Sequence, residues 1–462
     1  MQYKVLFKRC LLAIVVMFVV TSLQAQREMK TINDNWEFRK SIDESWESVN
    51  LPHTFNIDAY QQRNYYQGKG FYRRTLVLPE IVAERRYYMK IDAASKAANI
   101  RVNGKEVGSH VGGYTACIVD ITEYIRKENL IEITVDNGRK DITPISADFT
   151  FWGGIYRDVW LISTPKQHFN MSNMGSDGIF ISTPVVNEKR GVLKVKCEVT
   201  NDSSILEVRS AIYSPQGKLL QTIKQKQKLK SGETYIFENT SGAIESPDLW
   251  SPETPSLYLV KTTLVDPKSG KLSDEKNHKV GFRWFTFDGS KGFFLNGKSY
   301  KLRGLNRHQD QAPAGVALDD EAHRRDIFLM KELGCNFIRI SHFPQDDAIL
   351  EMCDELGLLA WEEIPIINIV PNTPGYDDNC EYNLREMIRQ HYNHPSICFW
   401  GLFNELKTIG DNPTEYIEEL NDLAHKEDPT RLTTSASFLS YDDDINKVTD
   451  VIAWNQYFGW YG

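Results

Sequence analysis

The sequence is poor in the features that define several protein classes. Cysteine is scarce, with 7 in 462 residues. The cysteines are scattered and form no CxxC pair, which argues against a thiolate zinc site and against a dense disulfide framework. Glycine (29) and proline (18) are too few for a fibrous or low-complexity chain. No HExxH run, glycine-rich phosphate loop or Ser-His-Asp pattern is present. Positive charge is also lacking: the formal net charge is −8. Binding a phosphate backbone requires a basic face, so nucleic acid is excluded as a partner. Long apolar runs are missing too. The longest, Leu11–Val20, is half of the roughly 20 residues that cross a bilayer.

That short run has another use. Lys4, Lys8 and Arg9 precede it, and Thr21-Ser22-Leu23-Gln24-Ala25 follows. A positive start, a short apolar stretch and a small residue at the cut describe a secretory signal peptide over residues 1–25, cleaved after Ala25. Cys10 lies before the apolar run, the wrong side for a lipid-anchored cysteine. The expected location is periplasmic or secreted, with no membrane anchor.

Downstream, three textures follow one another. Residues 27–165 are short alternating runs broken by turn residues: Phe71–Pro79, Arg86–Asp92, Asn99–Gly104 and Leu130–Asn137. Asn103-Gly104 is a two-residue hairpin signal, and no useful helical period appears, so this segment reads as an antiparallel β-sandwich. The pattern continues through residues 166–283, with strands at Val192–Thr200, Leu206–Ser214 and Leu257–Asp266. Their spacing fits an immunoglobulin-like sandwich. From 284 to 462 apolar strands alternate with helical patterns at Asp319–Leu333, Gln345–Leu356, Glu381–Tyr392 and Thr414–His425, with Gly334 and Gly357 as stops. Six strands joined this way predict a (β/α)8 barrel rather than an open sheet.

In such a barrel the chemistry sits at the C-terminal ends of the strands. Those ends read Asn306-Arg307-His308, Ser341-His342, Glu362-Glu363, Asn404-Glu405, Ser435 and Asn455-Gln456-Tyr457. Each also has a plain reading, as a polar residue capping a strand. Together they are expected to converge on one mouth. Carboxylates, Asn, His and aromatics suit sugar hydroxyls and acid–base work at a glycosidic bond.

At these residues the sequence resembles glycoside hydrolase family 2. NHPSICFWGLFNE (Asn393–Glu405) is similar to that family's acid/base signature. GLNRHQD (Gly304–Asp310), RISHFPQD (Arg339–Asp346), WEEIP (Trp361–Pro365) and NQYFGWY (Asn455–Tyr461) match further motifs in order. NIRVNGKEVGSHVGGYTAC and FWGGIYRDVW resemble its sugar-binding sandwich.

The resemblance implies Glu405 as general acid/base. It implies substrate contacts at Asn404 (to the 2-hydroxyl), His308, His342 and Asp310, with Tyr457 orienting the nucleophile and Asp148 lent by the first sandwich. Phe399, Trp400 and Phe403 are expected to desolvate Glu405, and Arg307 and Arg339 to act as orienting ion-pair partners. Glu362 and Glu363 read as hydrogen-bonding groups within the barrel. Some β-galactosidases of the family carry a divalent metal after the third strand through an acid and a histidine. The corresponding EEIPIINIVP has no histidine, so no cofactor and no metal ligand are assigned.

Residues 284–462 fall short of the about 250 of a whole barrel. The expectation is a chain truncated before its last two strands, without the nucleophile Glu that the family places near the end of the seventh. The implied activity is a retaining exo-glycosidase acting on terminal β-D-galactosyl residues, most like secreted bacterial β-galactosidases. Two alternatives stay open: a β-glucuronidase, and a non-catalytic carbohydrate-binding fragment. The partner is an oligosaccharide or glycoside, and a homo-oligomer is compatible with the sequence.

Overall fold

A computed structural model describes residues 26–200, 205–230, 232–407 and 413–459. The signal segment 1–25 and its cut after Ala25 lie outside the described residues.

The first module is a sandwich of two antiparallel sheets. One has four strands, Glu28–Thr31, Val159–Pro165, Arg85–Ile91 and Cys117–Asp120, and the other has six. Strand Glu128–Asp136 shows why they face each other: Ile131, Ile133 and Val135 alternate inward and are buried. Asn103 (φ 52°) and Gly104 (φ 75°) form the two-residue turn that pairs Val102 with Lys105. Both positions need the left-handed region, which Asn and Gly tolerate. The second module packs a five-stranded sheet built on Arg190–Thr200 against a four-stranded one built on Ile205–Tyr213 and Tyr258–Val265. Val195, Cys197, Val199, Val208 and Val260 meet in its core.

The third module is a parallel sheet of six strands: β1 (Gly304–Arg307), β2 (Phe337–Ile340), β3 (Leu359–Glu363), β4 (Ile397–Asn404), β5 (Leu432–Ser437) and β6 (Val451–Trp454). Spatial order equals chain order throughout. That is the winding of a barrel, since an open doubly wound sheet reverses direction at a switch point. Strands β3 and β4 are buried at every position, as expected of strands covered on both faces.

Among the described residues, four helices alternate with the strands: α1 (Asp320–Glu332), α2 (Asp347–Leu356), α3 (Tyr376–His391) and α4 (Thr414–Glu427). Asp319 and Asp346 cap α1 and α2 by accepting from Ala322 N and Ala348 N. Helix α3 starts five residues earlier than the sequence pattern placed it. Its first turn, Tyr-Asp-Asp-Asn-Cys, carries only Tyr376 and Cys380 as a buried i,i+4 pair, too sparse a signal to count.

A short antiparallel sheet (Phe285–Asp288, Gly292–Leu295, Lys298–Ser299) precedes β1. Phe293 and Leu295 pack on Leu359, Phe399 and Ala436, closing the end of the parallel sheet opposite the strand termini. The modules interlock through buried polar contacts. His110 Nε2 of the first sandwich donates to Glu386 of α3 at 2.9 Å, and Thr115 Oγ1 donates to the same carboxylate at 2.7 Å. All six described cysteines are unpaired, and no described helix is long and apolar enough to cross a membrane.

Candidate active site

Successive residues of a strand face opposite sides, so neighbouring polar residues at a strand end separate. Arg307 is buried and turned toward the helices: it pairs with Asp326 of α1 at 2.7 Å and donates to Gln345 Oε1. It does not join the mouth. Glu362 likewise faces outward and accepts from His391 Nδ1 of α3 at 2.8 Å. Ser435 is fully buried inside β5, two residues short of the strand end. These three fall out of the expected constellation.

Arg339, His342, Glu363, Asn404, Glu405, Asn455 and Tyr457 form one hydrogen-bonded chain across β2 to β6. Arg339 grips Glu363 through Nε and Nη2, both at 3.0 Å, and its Nη2 also donates to Asn404 Oδ1 at 2.8 Å. Its guanidinium lies 4.2 Å from the Trp361 ring centroid. His342 Nδ1 donates to Glu363 at 2.6 Å, which leaves Nε2 as the nitrogen for a ligand. Burial pushes the Glu363 carboxyl up, but Arg339 and His342 outweigh it and hold the group below the usual range. Gly401 makes room for this packing, since a Cβ there would lie 2.3 Å from Glu363 Cβ.

Asn404 Oδ1 receives a second bond from Asn455 Nδ2 at 3.2 Å. With its oxygen occupied, its two N–H donors remain for a hydroxyl oxygen. Glu405 follows with φ 53°, a left-handed conformation that costs a β-carbon-bearing residue about 1–3 kcal/mol and is held only by its surroundings. Its N–H donates to Ala436 O at 2.8 Å. Its Oε1 accepts from Tyr457 Oη and Asn455 Nδ2, both at 2.6 Å. The aromatic screen expected around Glu405 is not what Phe399, Trp400 and Phe403 provide. Trp400 and Phe403 point into the core shared with the helices, and Phe399 packs with Phe293 and Leu295 of the short antiparallel sheet.

A second group lies beside this chain. The rings of His308 and His342 are 5.2 Å apart, and Phe149 of the first sandwich lies 5.9 Å from each. Burial lowers the pKa of His308, and the neighbouring His342 lowers it further. Asp310, Asp148 and Glu363 act in the opposite sense. The structure thus brings Asp148, His308, Asp310, His342, Asn404, Glu405 and Tyr457 into one region. Sequence reasoning missed Phe149, whose only signal was its place beside Asp148, and it gave Asn455 no role. Among the described residues, no group of three or more His, Cys, Asp or Glu side chains could hold a metal ion.

A barrel-type parallel sheet with a loop of the first sandwich at its mouth is also the arrangement that family comparison finds. Models of the glycosyl hydrolases family 2 sugar-binding domain, the glycosyl hydrolases family 2 domain and the glycosyl hydrolases family 2 TIM barrel domain match residues 13–165, 177–283 and 288–462. The chain belongs to glycoside hydrolase family 2.

A β-glucuronidase of Bacteroides fragilis is 39% identical over 457 residues, covering 96% of this chain and 65% of that protein. A β-galactosidase of Thermoanaerobacterium thermosulfurigenes is 34% identical over 461 residues, covering 92% of this chain and 61% of that protein. The crystal structure of Bacteroides uniformis β-glucuronidase is 53% identical with a TM-score of 0.91, covering 95% of this chain and 56% of that one. The chain therefore spans less than two thirds of the length of these relatives. The resemblance to β-galactosidases drawn from sequence extends to the family but does not single out galactose.

Proposed function

We propose that this chain carries the acid/base half of the active site of a retaining, exo-acting β-glucuronidase. One observation carries the reading: a carboxylate at the end of β4 whose Oε1 is held by Tyr457 and Asn455. Both bonds fall on Oε1, which leaves Oε2 to face the glycosidic oxygen. In the first step Glu405 protonates the leaving oxygen. In the second, ionised, it takes a proton from water. Asn404 donates to the 2-hydroxyl, a contact that strengthens as the oxocarbenium ion forms. His342 is fixed as the Nδ1–H tautomer by Glu363 and offers Nε2 to a hydroxyl. Retention requires a second carboxyl about 5–5.5 Å from the first, and the family resemblance puts it at the end of the seventh strand.

The choice of glucuronide over galactoside is supported by the higher identity to the β-glucuronidases above. Residues 1–25 support export. The test is hydrolysis of 4-nitrophenyl β-D-glucuronide and β-D-galactoside by the protein expressed from its complete reading frame. The expected result is a kcat/KM at least about 100-fold higher on the glucuronide, a conservative bound against the about 10⁴–10⁵-fold that a site built to bond a missing polar group can reach. A galactoside preference overturns the sugar assignment. Turnover of neither, with sugar binding retained, returns the protein to the carbohydrate-binding class.

A further inference from the structure

Residues 138–153 leave the first sandwich after strand Glu128–Asp136 and return at Gly154, with no helix or strand between. This loop brings Asp148 and Phe149 to His308 and His342. A segment of that length without regular structure has little of its own to hold one conformation, so its partners must do so. On the barrel side, Thr143 Oγ1 donates to Pro365 O, and Asn368 Nδ2 donates to Ser146 O and Oγ at 3.3 and 3.2 Å.

On the sandwich side Asn56, Asn137 and Tyr65 bond the backbone of Phe151, and one side chain, Lys96, ties that end of the loop to Arg139 and Pro144. Its backbone is pinned, with N–H donating to Asp136 O at 3.0 Å and C=O accepting from Gly112 N at 2.8 Å. Its side chain is buried, with the whole residue 2% exposed. The ammonium donates to Pro144 O at 2.5 Å and to Arg139 O at 3.3 Å, and lies 4.4 Å from the centroid of the Phe151 ring. All three partners belong to the loop.

A buried cation is an expensive way to fill space. Burial pulls the Lys96 pKa down to about 8, against the partial support of Asp141 and Asp136. Methionine would fill a similar volume without that penalty, but it could not satisfy two carbonyls and face a ring at once. The side chain makes sense as a hub for the loop.

We propose that Lys96 is a positioning residue for sugar binding: its ammonium gathers the 138–153 loop into the conformation that presents Asp148 and Phe149 to the histidine pair. The proposal rests on the glycosidase reading above. Lys96 touches no substrate and acts only through the loop.

The test uses Lys96→Met and Phe151→Leu in the protein expressed from its complete reading frame, each also placed in an Asp148→Ala/Phe149→Ala background. Amide hydrogen exchange of residues 140–152 is measured without substrate. KM and kcat are measured on the aryl glycoside that the wild type cleaves best. Lys96→Met is expected to speed loop exchange about 10-fold or more while the sandwich strands keep their protection. KM should rise about 10-fold with kcat within about 3-fold, the sign of lost ground-state positioning. In the double-alanine background the same substitution should add less than about 2-fold, because its route to the sugar is already gone.

Phe151→Leu should show the same pattern in smaller measure, and it decides the matter if Lys96→Met does not accumulate as folded protein. Unchanged loop exchange overturns the proposal. So does a full KM effect that persists in the double-alanine background, which would make Lys96 part of the sandwich's stability alone. A wild type that cleaves no aryl glycoside would fail the glycosidase reading by itself, and loop exchange would still decide whether Lys96 holds the loop.

Discussion

Replacing Glu405 with Gln is the sharpest perturbation of the proposed chemistry, because the structure says the variant should fold unchanged. Both donors to Glu405, Tyr457 Oη and Asn455 Nδ2, converge on Oε1. A glutamine with its carbonyl oxygen in that place keeps both bonds, and its amide takes the Oε2 position. The left-handed backbone at 405 is untouched, since neither residue is better suited to φ 53° than the other. What disappears is the titratable proton. General acid–base assistance is worth about 10²–10⁴-fold, or roughly 3–5 kcal/mol of barrier.

The loss should depend on the leaving group. Glycosides of acidic phenols depart with little protonation, so their first step should survive better than that of glycosides of alkyl alcohols. Azide should then rescue the second step, because a strong anionic nucleophile needs no general base, and the product should be the β-azide formed with retention. The assay is kcat/KM across a series of aryl and alkyl β-glucuronides, with and without azide, alongside a melting curve. Equal loss on all substrates, with no azide effect and an unchanged melting temperature, would refute Glu405 as acid/base.

Three further outcomes are expected. Glu386→Ala removes a buried carboxylate that accepts from His110 and Thr115 across the first sandwich and α3. It should cost about 3–5 kcal/mol by urea denaturation, and less than about 1 would show that the junction is solvated. Burial alone would lower the pKa of His391, but Glu362 and Asp347 raise it to about 10. The folded state then holds this proton between roughly pH 6.5 and 10 while the unfolded state releases it. Stability should therefore fall as pH rises through that window, by at most about 5 kcal/mol. His391→Gln should flatten that slope, and an unchanged slope counts against the assignment. N-terminal sequencing of the exported protein should begin at Gln26, and a mature chain starting at Met1 would remove the signal-peptide argument.

The sequence by itself determined the elements and their kinds. Alternation in Glu128–Asp136, the Asn103-Gly104 turn and the Gly334 and Gly357 stops are local signals, readable because they depend on residues a few positions apart. The strand-end residues Asn404, Glu405 and Tyr457 were legible for a related reason: a parallel barrel puts every such end on one face, so topology alone gathers them.

Which neighbour faces the mouth was not legible from that pattern. Glu362 and Glu363 are adjacent and chemically identical, yet one binds His391 outside the sheet and the other binds Arg339 and His342 within it. Strand register decides that, and register is a property of the assembled sheet. Only the tertiary structure brought Phe149 to the histidine pair, and only it wrapped a loop around Lys96. Those contacts join residues 308 and 342 of the barrel to residue 149 of the first sandwich, and residue 96 to residues 139, 144 and 151. No local spacing encodes a contact made by packing one module against another.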